Sequence, residues 1–371
     1  MGKIMVRKPR IVIGMSGGVD SSVAAALLKE QGYEVEGVMM KIWEKGDFYS
    51  EAAKDACFGI DRSRDMENAR AQAETIGIPF HMVDLASEYR AEVLSYFQDE
   101  YFSARTPNPC VLCNKSIKFG HLVKRLRDLG IVFDLFATGH YARVSRDISS
   151  GRYILKKALD TQKDQSYFLY ALDQDQLGSL ILPLGVHSKA GVRQMAKKYG
   201  LDMSSREESQ DFVIGDDYSV LFGRKPAPGP IMDIHGNLMG EHRGIVHYTI
   251  GQRRRLGIAT GEPLYVIDMD KANNTLIVGP KDALLAKEFI VSQINWIEMV
   301  PGKGQVIEVR AKIRRNHEEA LAELIPIDAS TAYVMFHEPQ YAITPGQAAV
   351  FYDGDAVLGG GIIETVKKML A

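Results

Sequence analysis

Short runs of consecutive apolar residues alternate with longer stretches of helical periodicity through the first half of the chain. Ile11–Ile13, Val35–Met40, Phe80–Val83 and Leu135–Ala137 are apolar enough to be covered on both faces, which predicts strands of a parallel sheet. Between them, Ser22–Gln31, Arg64–Ile76, Tyr89–Ala104 and Ser116–Leu129 place apolar side chains at helical spacing. A β-α-β rhythm of this kind predicts an α/β domain with helices on both faces and ligands at the carboxyl ends of its strands. Three loops should then meet at one edge: Gly14–Ser21, the segment from Lys41 through Cys57, and Thr138–Tyr141. That edge would hold Cys57 and His140 together.

From about Asp202 the texture changes. Pro226-Ala-Pro-Gly-Pro230 is a rigid turn, followed by Ile231–Ile234 and the turn His235-Gly-Asn237. Short alternating runs then dominate at Leu264–Asp268, Thr275–Val278, Gln305–Ile313, Ala332–Phe336 and Ala348–Tyr352. Gly and Asn turns separate them, so the pattern predicts a small middle module and a C-terminal antiparallel β-barrel. The expected division is residues 1–205, 206–283 and 284–371, with no internal repeat or low-complexity tract.

Composition narrows this only a little. The 371 residues carry 45 Lys and Arg against 47 Asp and Glu, so any nucleic-acid surface must be a local patch. No apolar run is long enough to span a bilayer, and Met1–Arg10 is basic without an apolar signal core. A cytoplasmic protein with no membrane partner is expected. Three cysteines, Cys57, Cys110 and Cys113, all fall in the first third of the chain, which argues against a secreted disulfide framework.

The chemistry begins at Gly14-Met15-Ser16-Gly17-Gly18-Val19-Asp20-Ser21, where an apolar strand runs through two adjacent glycines into a helix. Glycines let backbone approach an anion, and the unpaired N–H groups and helix dipole favour negative charge there. The Walker ending Gly-Lys-Ser/Thr is absent. The spacing instead resembles the PP-loop of the ATP pyrophosphatases (adenine nucleotide alpha hydrolase-like proteins), which cleave ATP between the α and β phosphates.

A second concentration of chemistry is Thr106-Pro-Asn108-Pro109-Cys110-Val-Leu-Cys113-Asn-Lys-Ser-Ile-Lys-Phe-Gly120. Pro107 and Pro109 should hold an extended loop and delay the helix until about Asn114, which sets both cysteines at a helix entrance. That position, with Lys115 and Lys118 nearby, favours the thiolate and suits a nucleophile, a persulfide carrier or a metal ligand. Two small buried residues would be the bland alternative.

Together with Ala137-Thr-Gly-His-Tyr141, Lys163-Asp-Gln-Ser-Tyr-Phe-Leu169, Thr249-Ile-Gly-Gln-Arg253, Thr344-Pro-Gly-Gln347 and Leu358-Gly-Gly-Gly-Ile362, these segments resemble the tRNA-specific 2-thiouridylase family over nearly the whole chain. The resemblance implies ATP and Mg²⁺, with ATP on Gly14–Ser21 and Met40 and Gly139 lining the adenosine site. It implies that the C2 oxygen of a tRNA wobble uridine attacks the α-phosphate, and that a sulfur nucleophile then expels AMP to leave 2-thiouridine. Catalytic roles fall on Cys113, Cys110 and the loop residue Asp20. Asn108, Pro109 and Cys110 would contact the flipped-out base, which must leave the stack for its C2 to reach both ATP and a thiol. His140, Lys163, Asp164, Gln165, Arg314 and Gln347 match tRNA-contacting positions, and the middle module would bind tRNA. Arg315 stands where the family commonly has tyrosine, which removes a stacking ring and keeps charge for phosphate. Arg253-Arg-Arg255 is a further phosphate patch or a solvated basic turn. The partners implied are tRNAs reading lysine, glutamate and glutamine codons, and a sulfur donor, either a persulfide carrier protein or free sulfide.

Two departures concern sulfur. The family's second catalytic cysteine lies in a segment matched by Ser209-Gln-Asp-Phe-Val-Ile214, which puts Val213 in its place, and its frequent aspartate three residues before the first cysteine is Cys110 here. Valine cannot carry a persulfide. Three arrangements remain open: Cys57, Cys110 and Cys113 as iron–sulfur ligands, Cys110 and Cys113 as a redox pair, or a zinc site needing a fourth ligand. Rival functions are a PP-loop amide-forming ligase and a non-catalytic tRNA-binding paralogue.

Overall fold

The computed structural model describes residues 7–43, 63–201, 221–222, 225–258 and 261–368. Cys57, Val213 and the boundary expected near Asp202 lie outside these residues. The chain forms two compact units, Met1–Arg90 with Cys110–Gly215, and Ala91–Pro109 with Asp216–Ala371. The described α-helices, in chain order, are α1 (Val19–Glu30), α2 (Ser63–Ile76), α3 (Ala86–Tyr89), α4 (Ser95–Phe102), α5 (Pro109–Leu112), α6 (Leu122–Asp128), α7 (Gln174–Gly178) and α8 (Lys189–Lys198).

The first unit is built on strands β1 (Arg10–Gly14), β2 (Glu34–Lys41), β3 (Phe80–Asp84) and β4 (Leu135–Thr138), beside a hairpin of β5 (Ala142–Arg146) and β6 (Tyr153–Lys157), and the short β7 (Leu180–Ile181). The sheet order is β3-β2-β1-β4-β7, and every neighbouring pair is parallel. The chain winds outward from β1 to β3 and then returns to lay β4 on the other side of β1. The loops after β1 and β4 therefore leave the sheet in opposite directions, which opens a crevice at their carboxyl ends. Ile11, Val12 and Ile13 are at most 1% exposed, as the uninterrupted apolar run of a central strand requires. Helix α1 is buried from Ser21 through Leu28, and its Ala24-Ala25-Ala26 run lets sheet and helices approach closely.

The thiol segment departs from expectation. Helix begins at Pro109, not near Asn114, because proline at the first helical position lacks only an N–H that would be unpaired there anyway. The coil then widens to a π-helix over Cys113–His121 before α6. Widening misaligns backbone carbonyls, and the Gln176 side-chain amide donates to two of them, Lys115 O at 2.9 Å and Phe119 O at 3.2 Å.

The second unit holds β8 (Gly229–Asp233), β9 (Leu238–His242), β10 (Tyr265–Asp270) and β11 (Thr275–Gly279) in a sheet of order β10-β11-β8-β9. Strands β12 (Leu285–Trp296), β13 (Ile307–Lys312), β14 (Ala320–Pro326), β15 (Ala332–Tyr341), β16 (Ala348–Asp353) and β17 (Ala356–Lys368) follow. They pair antiparallel in the order β12-β15-β14-β13-β16-β17, and β12 pairs with β17 to close the expected barrel. Phe289, Val334, Phe336, Phe351 and Ile363 fill its interior. The periodicity over Tyr89–Ala104 predicted one helix of the α/β domain, but all of it from Ala91 onward belongs to this unit. There Phe97, Tyr101 and Phe102 surround Phe222, with ring centroids 5.3–6.2 Å apart.

Candidate active site

Backbone packing shapes the crevice between β1 and β4. Gly17 has φ +77° and lies so close to α2 that a Cβ there would be 2.5 Å from Asp65 O. Gly139, at the end of β4, rests on the first turn of α1: a Cβ on it would be 2.7 Å from Ser21 N and 2.9 Å from Asp20 C. Gly18, the N-cap of α1, supplies no side-chain hydrogen bond to the N–H groups of the first turn. The backbone is thus pressed into a narrow cradle with a helix N-terminus at its base, an arrangement that favours a phosphate. Ser21 Oγ steadies the loop by accepting from Ser16 N at 3.2 Å and donating to Gly18 O at 3.1 Å. Ser22 Oγ also donates to Gly18 O and pairs with Gln72.

Gly14, Met15, Ser16, Gly17, Gly18, Val19, Asp20 and Ser21 therefore run without a break from the end of β1 through the turn into the first turn of α1, with Gly139 against that helix start. Met40, the penultimate residue of β2, lies at the same carboxyl edge, where it pairs with Val83. His140 follows Gly139; its Nδ1 lies 2.8 Å from Thr138 Oγ1, and its ring centroid is 6.0 Å from that of Phe119. Burial of the ring, and secondarily the Lys118 charge, hold its pKa well below the usual 6.5, so it is neutral near pH 7.

Phe119 belongs to the π-helix that starts with Cys113, so this contact ties the thiol helix to the β4 edge. Asn114, only 4% exposed, strengthens the tie: its Nδ2 donates to Phe168 O at 3.1 Å and its Oδ1 accepts from Lys118 Nζ at 2.9 Å. Cys110 and Cys113, both half-buried, stand one helical turn apart on this element. Among the described residues no group of three or more His, Cys, Asp or Glu side chains is placed to hold a metal ion.

The expected tRNA residues divide by what they already do. Asp164 accepts from Ala158 N at 2.9 Å and from Ser166 Oγ at 2.7 Å, and Gln165 Oε1 accepts from Tyr141 N at 2.9 Å. These two side chains shape the 163–169 turn, and the neighbouring Lys163 is half-buried. In the second unit, Thr106, Pro107 and Pro109 are buried while Asn108 is half-buried. Gln347 Nε2 donates to Thr106 O at 3.0 Å and Pro107 O at 3.1 Å, while Thr106 N donates to Pro345 O at 2.9 Å. Arg105 is held at 2.8 Å by Glu100 and 2.7 Å by Glu364. Two donors of Gln347 are thus committed to holding the Pro-Asn-Pro segment. Arg314 and Arg315 are exposed on the β13–β14 turn, and Arg253, Arg254 and Arg255 are exposed as well.

Two contributors were not singled out in the sequence. Lys189 Nζ lies 2.8 Å from each carboxylate oxygen of Asp20, and Tyr141 Oη donates to Asp20 Oδ1 at 2.9 Å. A signal was present: Lys189 directly follows Ser188, the N-cap of α8, and a cation in a first helical turn opposes the dipole unless an anion faces it.

Comparison with known proteins agrees with this architecture. Residues 9–215 match a family described as a tRNA methyl transferase HUP domain, residues 223–280 a tRNA methyl transferase PRC-barrel domain, and residues 286–363 an aminomethyltransferase beta-barrel domain. A tRNA-specific 2-thiouridylase of Caldanaerobacter subterraneus is 47% identical over 363 residues, covering 96% of this chain and 98% of the relative. Those of Acetivibrio thermocellus and Geotalea uraniireducens are 42% and 46% identical, covering 96% of this chain and 99% and 96% of their own lengths. With a nucleotide-type cradle at the β1/β4 crevice, a thiol helix tied to its edge and full-length identity of this order, the chain belongs to the tRNA-specific 2-thiouridylase family.

Proposed function

We propose that this protein is an ATP-dependent tRNA sulfurtransferase that converts a wobble uridine to 2-thiouridine. The observation that carries the reading is the cradle formed where Gly139 rests on the start of α1, in a chain similar along nearly its whole length to 2-thiouridylases. The C2 oxygen of uridine attacks the α-phosphate of ATP held on Gly14–Ser21, and pyrophosphate leaves. A sulfur nucleophile then attacks C2, and AMP departs with the former carbonyl oxygen. Adenylation is needed because a urea-like carbonyl oxygen is a poor leaving group. The loop N–H groups offset charge at the phosphates, and Mg²⁺, when bound with ATP, supplies further positive charge there.

In this reading Met40 and Gly139 border the adenosine, and Asn108, Pro109 and Cys110 receive the extruded base. His140, Lys163, Arg314 and Arg315 face RNA, with Asp164 and Gln165 shaping the turn that presents Lys163 and Gln347 holding the Pro-Asn-Pro segment that receives the base. The neutral ring of His140 suits hydrogen bonding better than phosphate pairing. The division into residues 1–205, 206–283 and 284–371 and the lysine, glutamate and glutamine tRNAs belong to the same reading, as does a cytoplasmic site of action. No described helix is long and apolar enough to cross a membrane.

Val213 leaves the sulfur route to the remaining thiols. Cys110 and Cys113, one turn apart and half-buried, suit two positions of a thiolate set, and Cys57 would supply the third. These three would hold an iron–sulfur cluster, whose chemistry when bound is to present sulfide at an open iron site. Incubation with ATP, Mg²⁺, sulfide and unmodified tRNA tests the whole reading. Pyrophosphate and 2-thiouridine are expected in equal amounts. Pyrophosphate release dependent on a small amine would favour the amide-forming ligase, and tRNA binding without either product the non-catalytic paralogue.

A further inference from the structure

The phosphate loop has no lysine of its own, yet it carries a carboxylate, Asp20, in the first turn of the helix whose N-terminus forms the cradle. A carboxylate there repels a triphosphate. The structure brings a cation to it from 169 residues along the chain: Lys189 Nζ meets both oxygens of Asp20 at 2.8 Å. Its side chain is 12% exposed and that of Asp20 29% exposed, so water screens the pair only partly.

Lys189 is also held in place. Its backbone N donates to Asp160 Oδ2 at 2.9 Å, and Ser188 caps the helix through Gly191 N at 3.1 Å. Val192 and Ala196, further along α8, are fully buried in the core that contains Ala24, Ala25 and Leu28 of α1. The Tyr141 ring lies 5.8 Å from the ammonium, and its hydroxyl donates to Asp20 Oδ1 at 2.9 Å. The carboxylate is therefore gripped from two sides by groups on rigid elements.

We propose that Lys189 is a positioning residue for ATP: its ammonium neutralises and orients Asp20, so that the carboxylate braces the phosphate loop without repelling the nucleotide. This rests on the ATP-dependent reading above. A lysine supplied from α8 thereby performs part of the electrostatic task that a Walker loop assigns to its own lysine. Tyr141 holds the carboxylate in register but adds no charge.

The test is steady-state pyrophosphate release by the full chain with tRNA transcripts, varying ATP and tRNA separately. Lys189→Met should raise the KM for ATP by about tenfold or more, the scale of one partly screened charge beside an anion, while the KM for tRNA is unchanged. Lys189→Arg should recover most of the loss. Asp20→Asn/Lys189→Met should bind ATP more tightly than Lys189→Met alone, since the uncompensated carboxylate is gone; a packing role would not produce that rescue. Thermal melting of each variant reports folding. The proposal is overturned by an unchanged ATP KM in folded Lys189→Met, by equal losses for ATP and tRNA, or by a double variant no better than the single one. A wild-type protein releasing no pyrophosphate would instead overturn the ATP-dependent reading itself.

Discussion

Replacing Gly139 with alanine would set a methyl carbon 2.7 Å from Ser21 N and 2.9 Å from Asp20 C, both backbone atoms of the α1 first turn. Ordinary contact begins near 3.4 Å, so β4 and α1 would have to separate by about 0.7 Å (3.4 less 2.7) or tilt by an equivalent amount. Neither neighbour can yield as a side-chain end could: α1 is buried from Ser21 to Leu28, and Thr138, which precedes Gly139, is 3% exposed. Overpacking of this kind costs about 1–3 kcal/mol, and a misplacement approaching 1 Å in a catalytic site lowers rate by about 10²-fold. Gly139→Ala should therefore melt several degrees lower and release pyrophosphate far more slowly than wild type at saturating tRNA, with a raised KM for ATP. The control is Gly130→Ala. There φ is +78° and nothing lies within 4 Å, so the substitution meets backbone strain of about 1 kcal/mol without touching the loop. Wild-type ATP kinetics in Gly139→Ala, or an equal loss of activity in Gly130→Ala, would refute the argument that this contact shapes the cradle.

Gln347→Leu removes the donors to Thr106 O and Pro107 O. It should lower unfolding stability in urea by about 1–3 kcal/mol and slow thiolation more than it weakens tRNA binding; a loss confined to tRNA affinity would contradict the holding role. For pH, burial lowers the pKa of His140, His242 and His317 below 6.5, so the unfolded chain takes up protons first as pH falls. Their contribution to stability is complete above about pH 6.5 and declines as pH drops toward the folded values. Melting curves should show His140→Asn losing less stability than wild type between neutral pH and pH 5. Protein prepared without oxygen should absorb visible light and contain iron and sulfide, and Cys57→Ala should abolish the colour and the iron; a colourless wild type would leave the redox pair or the zinc site, which zinc analysis separates.

Much of the α/β half is legible before folding because its signals are local. An apolar run such as Ile11–Ile13 has no stable place but a covered strand, and paired glycines before a helix have few uses other than close approach. Barrel strands were harder to see. β14 mixes Glu323 with Leu324, and β17 runs through Gly359-Gly-Gly361; both depend on neighbours to become strands. The start of α5 was misplaced because proline was taken as a breaker, whereas its meaning depends on position within the helix.

Residue types and spacings already dictate an anion cradle after β1 and thiols at a helix start, since each is a statement about what a side chain or a glycine can do where it stands; that Val213 replaces a second cysteine came from the family resemblance. Folding alone could choose the partners of those groups. Whether Asp20 faces a cation, whether Gly139 touches α1 and which carbonyls Gln347 holds all depend on atoms more than 100 residues apart in sequence. Periodicity reports which face of an element is covered. It carries no record of what covers it, and at this site the covering groups set the charge and the clearance.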